Sequence, residues 1–332
     1  MARDDKRTGG ALAIRDIHAL VRAPITVAGS LNMDFVVKVG RLPRPGETVL
    51  GGDFVTLPGG KGANQACAAG RAGGRVRMLG RVGDDVFGKE LVLSLGRAGV
   101  DTAGVRVTTR TASGVALIFV ESGGQNQIVV ASGANARFAP EDVADDFGAG
   151  SLLLLQLETA LPTVERAAAL AAGRGATVIL DPAPAQPLPD ALLARVSVLT
   201  PNESEALALL GRAGASLALA DAPEAARALR RRGARAVILK LGANGAWLED
   251  EDGGRHFPPF TVEAVDATAA GDTFNGALAV ALSEGRPLPH AVPFANAAAA
   301  LSVTRLGAQS SMPERHEVDA LVATRPPERG AP

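Results

Sequence analysis

From about residue 150 the chain repeats one pattern, a short apolar run without polar interruption followed by an alanine-rich stretch of helical length. Residues 152–157, 177–180, 196–199 and 236–240 read as strands, and 163–172, 203–210 and 223–232 as the helices between them. A strand that is apolar at every position must be covered on both faces, and strands joined by helical crossovers run parallel. The pattern predicts an α/β fold with a parallel sheet covered on both faces. Residues 25–28, stopped by Gly29, are an earlier strand of the same kind, and 269–282 and 291–303 read as helices near the end of the sheet. The β-rich stretches at 34–57 and 114–131 fit a parallel array badly. They predict a small separate sheet that serves as a lid, its last two strands a hairpin around the Gly-containing turn at 121–124. Residues 1–23 read as a poorly ordered N-terminal extension and 24–325 as one α/β domain.

Composition closes off several functions. Hydrophobic residues make up 47% of the 332 positions, enough for a sizeable core. The formal net charge is −1, so no global basic field exists to recruit nucleic acid or a membrane surface. Cys67 is the sole cysteine, which excludes an intramolecular disulfide and a cysteine-bound zinc. His18, His256, His290 and His316 lack ligand spacing, and no Gly-x-Ser-x-Gly supports a serine hydrolase. No apolar run approaches the roughly 18–20 residues of a membrane span, and the polar first residues lack a signal-peptide core, so a cytoplasmic location is expected. Lysine is scarce (Lys6, Lys38, Lys61, Lys89, Lys240), which draws attention to any lysine inside a motif.

Three motifs carry chemistry. The P-loop and the dinucleotide fingerprint are both absent. In their place stands Gly59-Gly60-Lys61-Gly62-Ala63-Asn64-Gln65-Ala66, whose glycines let a ligand approach the backbone and whose Asn64 can address a hydroxyl; a plain Gly-rich turn is the competing reading. Asn32 and Asp34, two apart in an extended segment, face one side and suit vicinal hydroxyls, although a loop Asx pair has the same appearance. The third motif is sharper. In Asp266-Ala267-Thr268-Ala269-Ala270-Gly271-Asp272-Thr273-Phe274, small residues leave the N–H groups at a helix start uncovered, which makes an anion hole for a transferring phosphoryl group. Asp272 stands where it can accept a proton from an attacking hydroxyl; the alternative is an acidic residue that only answers the helix dipole.

These motifs resemble those of the ribokinase-like family of carbohydrate and nucleoside kinases. The resemblance runs from about residue 27 to about 320. It includes Gly29-Ser30-Leu31-Asn32-Met33-Asp34, Pro45-Gly46-Glu47-Thr48, the Gly59–Ala66 run, Gly83-Asp84-Asp85, Gly114 to Phe119 and Gln156-Leu157-Glu158. Further on come Asp181 to Ala185, Thr200 to Glu203, Leu241 to Gly245, Ala269 to Gly276 and Arg305 to Ala308. The Gly59–Ala66 run is closer to the ribokinase branch than to the nucleoside branch.

The resemblance implies a three-layer α/β sandwich with a central, mostly parallel sheet and a small β-sheet lid. It implies ATP-dependent phosphorylation of D-ribose at its 5-hydroxyl, with Mg²⁺, a potassium-type activator and a homodimer formed through the lid. Another sugar or nucleoside kinase, or a catalytically silent sugar sensor on the same fold, are the alternatives. Carried over residue by residue, Asp272 matches the general base, and Ala269, Ala270 and Gly271 the anion hole. Asn32, Asp34, Gly60, Lys61, Asn64 and Glu158 match the sugar's polar ligands, with Ala116 and Ile118 over its apolar face. Asn202 and Glu205 match an Asn-x-x-Glu element that organises phosphate and Mg²⁺. Leu241, Gly242, Asn244 and Gly245 belong to the nucleotide loop, together with Ala270 and Gly271, and Asn296 falls near the adenine. Asp266, Thr268, Ser302, Arg305, Gly307 and Ser311 match the cation site. Thr268 and Ser302 replace residues that are usually more apolar, and Asn296 stands where some members carry histidine.

Overall fold

The apolar runs predicted as buried strands do form one sheet. In the computed structural model, which describes residues 22–324 except 122, 124 and 125, Ile25–Ala28 (β1) lies inside the sheet with no side chain exposed. It pairs in parallel with Val76–Gly83 (β4) on one side and Leu152–Leu155 (β8) on the other. Beyond β8 the parallel order continues through Thr177–Leu180 (β9), Val198–Leu199 (β10) and Ala236–Lys240 (β11). Val105–Thr108 (β5) closes the opposite edge next to β4.

Alternation along each strand feeds two cores. Ile25, Val27, Leu152, Leu154 and Ile179 point into one, where they meet the helices Lys61–Arg71 (α1), Val86–Arg97 (α2), Ala270–Ser283 (α7), Leu288–Ser302 (α8) and Arg315–Ala323 (α9). Ala28, Leu153, Leu155, Val178 and Leu180 point into the other, under Leu161–Gly173 (α3), Asp190–Leu193 (α4), Glu203–Leu209 (α5) and Ala222–Arg231 (α6). This is the expected three-layer arrangement. The sheet is parallel except at one edge, where Ala246–Asp250 (β12) and Gly253–Phe257 (β13) add an antiparallel hairpin to β11.

The second sheet has four strands in the order Gly51–Gly59 (β3), Asn32–Val39 (β2), Gly114–Glu121 (β6) and Asn126–Ala131 (β7). Its central pair, β2 and β6, is parallel, the outer pairs are antiparallel, and β6–β7 is the expected hairpin. The strands start or stop a few residues from the sequence-based limits: β2 begins at Asn32, β3 at Gly51, and β8 ends at Leu155. Most of the expected N-terminal extension, residues 1–21, lies outside the described residues. Residues 22 and 23 are tied to the end of α7, Arg22 by an ion pair of 3.1 Å with Glu284 and Ala23 by its N–H to the Ser283 carbonyl at 3.0 Å.

Candidate active site

The parallel strands all end on one side, and that side collects the polar residues. Ser30 follows β1, Gln156 and Glu158 follow β8, Asp181 follows β9, Asn202 follows β10, and Lys240 is the last residue of β11. The carboxyl edge of a parallel sheet is where α/β folds place ligands, because the loops there leave the core with their side chains free. Two helices, α1 and α7, aim their N-termini at the same place. They approach closely because a Cβ on Gly276 would stand 2.7 Å from the Gln65 carbonyl oxygen and from the Ala68 methyl.

On the lid side, Asn32 and Asp34 share one face of β2, in register with Gly114 and Ala116, and Ile118 extends that face opposite Val36. Glycines make room for them. A Cβ on Gly59 would stand 2.1 Å from an Asp34 carboxylate oxygen, and one on Gly114 2.2 Å from the Asn32 amide oxygen. Asn135 donates to that amide oxygen at 2.7 Å and fixes the Leu31 backbone through both its N–H and its carbonyl. Glu158 accepts from the Lys61 backbone N–H at 3.0 Å and from the Ser30 hydroxyl at 2.5 Å, so its carboxylate caps α1, whose N-cap is Gly60. Burial, with Glu158 and Asp272 close by, pushes the Asp34 carboxyl up to about 7. Burial alone would lower the Lys61 ammonium, but Asp272, Asp181, Glu158 and Glu205 around it hold it above its usual value.

Asp272 sits in the first turn of α7 and is 5% exposed. Its two oxygens accept from Asn64 Nδ2 and Gln65 Nε2, each at 3.1 Å. Gln65 Nε2 also donates to Asp181 at 2.9 Å, and its carbonyl takes the Gln156 amide at 2.6 Å, so one buried side chain joins two aspartates. Burial raises the Asp272 carboxyl, and Lys61 only partly offsets it. Before it, Ala269 adopts the left-handed region at φ 59°, a strained geometry for a residue with a Cβ. That kink starts the helix. Among the described residues no backbone carbonyl takes the N–H groups of Gly271 and Asp272.

On the far side of α7 lies an apolar cavity of about 420 Å³, lined by Gly242, Gly245, Phe260, Ala270, Gly271, Phe274, Asn296 and Ala299 among others. Asn296 is buried, and its Nδ2 has no partner. A slot of this kind with one unsatisfied donor and a helix N-terminus at its mouth suits a flat heterocycle carrying phosphates. A second cavity of about 660 Å³ is lined by Lys61, Asp181, Asn202, Glu205, Lys240 and the 269–272 backbone. Asn202 and Glu205 form a reciprocal capping box at the start of α5, with Glu205 Oε2 accepting the Asn202 N–H and Asn202 Oδ1 the Glu205 N–H, each at 2.8 Å. Burial raises the Glu205 carboxyl, with Lys240 acting against it. Leu241 and Asn244 do not line either cavity: Leu241 packs in the core, and the Asn244 carbonyl meets His256 Nε2 at 2.7 Å.

Five of the six residues of the expected cation site fall on two loops that are bonded together, and Ser302 ends α8. Asp266 accepts from the Thr268 N–H and hydroxyl and, through its other oxygen, from the Gly307 N–H at 2.9 Å. Burial opposes ionisation of Asp266, but the Thr268 and Gly307 donors outweigh it and hold the carboxyl below its usual range. Among the described residues the carbonyls of Thr268, Arg305 and Gly307 accept no hydrogen bond. The Ser311 hydroxyl goes to the Ala308 carbonyl and the Arg305 guanidinium to Glu317.

Ser30, Gln65, Asn135, Gln156, Asp181 and Lys240 are parts of the site that motif reading did not assign. All but Asn135 and Lys240 lie inside the matching stretches, and the scarcity of lysine already marked Lys240. No group of three His, Cys, Asp or Glu side chains gathers around a metal position among the described residues.

Comparison with known proteins places this geometry. Residues 22–315 match the model of the pfkB family carbohydrate kinase. The chain is similar to a ribokinase of Haemophilus influenzae, with 41% identity over 90% of this chain and 97% of the relative. It is also similar to a deoxyribokinase of Salmonella typhi, with 37% identity over 87% and 95% of the two chains. Among solved structures, an Arabidopsis thaliana ribokinase complexed with ribose and ATP superposes with a TM-score of 0.83 at 34% identity, over 91% of this chain and 99% of that one.

Proposed function

The chain belongs to the pfkB family of carbohydrate kinases, and on that premise we propose that it transfers the γ-phosphoryl group of ATP to the 5-hydroxyl of D-ribose, giving D-ribose 5-phosphate and ADP. The observation that carries this reading is the place of Asp272. It is a buried carboxyl at the start of a helix with free N–H groups, between the polar cavity lined by Lys61, Asp181, Asn202 and Glu205 and an apolar cavity with an unsatisfied amide.

Asn32, Asp34, Lys61, Asn64 and Glu158 hold the sugar through its hydroxyls, with Gly60 leaving the backbone close and Ala116 and Ile118 covering the apolar face. Asp272 accepts the proton as the sugar oxygen bonds to the γ-phosphorus and the bond to the bridging oxygen of ADP breaks. Asn64 and Gln65 fix the carboxylate so that it meets the hydroxyl without reorganising. The N–H groups at 269–272 take up charge on the transferring group. Glu205 and Asn202 would hold the Mg²⁺ that accompanies the phosphates, and the ion would supply charge neutralisation there. The three free carbonyls of Thr268, Arg305 and Gly307 suit a potassium-sized cation that orders the loop before α7 without touching phosphate. Closure of the lid excludes water, which would otherwise consume ATP.

The face of the lid opposite Asp34 and Ala116 exposes the apolar residues Phe54, Leu117 and Val129. An apolar sheet face of this kind suits a second copy of the chain, so the protein is read as a cytoplasmic homodimer. Sedimentation at micromolar concentration tests this, and a monomer there removes the dimer from the reading.

Coupled measurement of ADP release with ribose, 2-deoxyribose, fructose and adenosine tests the function. Ribose is expected to give the highest kcat/KM, because a missing hydroxyl leaves buried polar groups unpaired at about 1–3 kcal/mol each. Deoxyribose as the best acceptor moves the assignment to the activity of the Salmonella relative, and adenosine as the best moves it to nucleosides. Turnover with none of them leaves a sugar-binding protein.

A further inference from the structure

We propose that Lys240 is a catalytic residue whose ammonium meets the transferring phosphoryl group. The proposal rests on the kinase reading above and assigns a direct phosphate contact to a residue that reading leaves outside the machinery.

Four observations converge. Lys240 ends β11, and its backbone is pinned from both sides, its N–H to the Pro201 carbonyl at 2.9 Å and its register to Ala246 of β12. Its side chain lines both cavities, as do Gly242, Ala267, Ala270 and Gly271, so it stands at the mouth that joins them. Its Nζ lies 3.2 Å from the point a Cβ on Gly271 would occupy, beside a residue whose backbone N–H has no carbonyl acceptor. Finally, the Lys240 side chain is only 13% exposed, and among the described residues its ammonium has a single acceptor, Asp181 Oδ1 at 2.8 Å. An ammonium carries three donors. Two of them have no protein acceptor, next to a set of backbone donors that also lacks one.

That arrangement suits an anion with several oxygens. Lys61 is the other lysine lining these cavities, and four carboxylates already surround it. Lys240 is tethered by one carboxylate, and that carboxylate is itself held in place by Gln65. In a phosphoryl transfer the charge spreads over the equatorial oxygens of the moving group, so a fixed cation beside the N–H groups stabilises the transition state more than the ground state. The competing explanation is that Lys240 serves only as the counter-ion of Asp181.

A double-mutant cycle separates the two. Lys240→Met, Asp181→Asn and the double variant are compared with wild type, using whichever sugar the acceptor panel finds best. Lys240→Met is expected to lower kcat about 100-fold, in the range measured for losing one aimed donor, with sugar KM changed less than about threefold. The double variant removes both members of the ion pair, so Asp181 is not left as a carboxylate without its cation, and it is expected to be about 100-fold slower than Asp181→Asn. Equal rates for Asp181→Asn and the double variant make Lys240 a counter-ion and overturn the proposal. Calorimetry with the β,γ-imido analogue of ATP and with ADP needs no sugar and reads the contact itself. The double variant is expected to lose affinity for the analogue about tenfold more than for ADP. Equal losses for both nucleotides overturn the proposal even if the sugar assignment stands.

Discussion

The two halves of the site are built from different materials. The lid side consists of charged and amide side chains bonded to one another: Asn32 to Asn135, Glu158 to Ser30 and Lys61, Asn64 to Asp272. Beyond α7, the cavity wall is mostly glycine, alanine, valine and phenylalanine, with Asn296 as its buried amide and Lys240 at its mouth. The contrast has a physical reason. A sugar presents hydroxyls in fixed directions and can be distinguished only by side chains placed to match them. A nucleotide presents a flat ring and a polyanion, which a slot and a row of backbone N–H groups accommodate. Substitutions on the lid side should therefore act on chemistry and selectivity, and those on the other side on nucleotide affinity.

Asp272 tests that contrast most severely. Asp272→Asn keeps shape and polarity but cannot take the proton, so kcat should fall at least about 100-fold while ribose affinity, measured by calorimetry, changes much less. Near-normal turnover would remove proton transfer from the lid half. Next in size is the cation. Replacing potassium with tetramethylammonium at constant ionic strength should lower kcat about tenfold, short of the 10²–10³ lost when an aimed donor is deleted outright. Sodium and lithium should activate less than potassium. Equal rates in all salts would mean that Asp266, Thr268 and Gly307 order the loop unaided.

The third prediction concerns pH. An acid raised to about 7 is mostly protonated at pH 6 and mostly ionised at pH 8, and only the ionised Asp34 accepts from two hydroxyls. The competent fraction rises about tenfold across that interval, so ribose should bind about tenfold more tightly at pH 8 than at pH 6, and binding at pH 6 should release about one proton. Asp34→Asn should flatten the profile, and a profile that persists in that variant assigns the titration elsewhere. The smallest effect belongs to the nucleotide half. Asn296→Ala should raise KM for ATP about three- to tenfold, equivalent to about 0.5–1.5 kcal/mol, and leave kcat unchanged. A change confined to kcat would show that the far cavity takes part in more than holding the base.

The same contrast governs what the sequence reveals. Strands such as β1, β8 and β9 announce themselves because burial on both faces demands unbroken apolar runs, and Asn32 and Asp34 share a face because strand periodicity is two. The β12–β13 hairpin did not stand out, because Gly253, Gly254, Arg255 and His256 are exposed at the sheet's edge and carry no buried pattern. Leu241 and Asn244 show the limit of motif reading. The loop does border the cavity, through Gly242, Ala243 and Gly245, but a motif does not say which of its side chains turn away. Asn135 and Asp181 gain their roles from partners far away in the chain, Leu31 and Asn32 for the first and Gln65 and Lys240 for the second. Nothing local encodes that.

Such separations also set a schedule for the growing chain. Asn64 and Asp272, hydrogen-bonded in the finished site, lie 208 residues apart. At about 5–20 residues per second a ribosome takes roughly 10–40 s to cover that interval. During that time the lid strands and α1 have been made, but the helix against which α1 packs has not. Ala68 and Ala69 of α1, which meet Gly276 of α7 in the finished site, are then exposed to solvent and to neighbouring chains. Nascent protein of this design binds no nucleotide and transfers no phosphate until α7 emerges, so a prematurely released fragment spends no ATP.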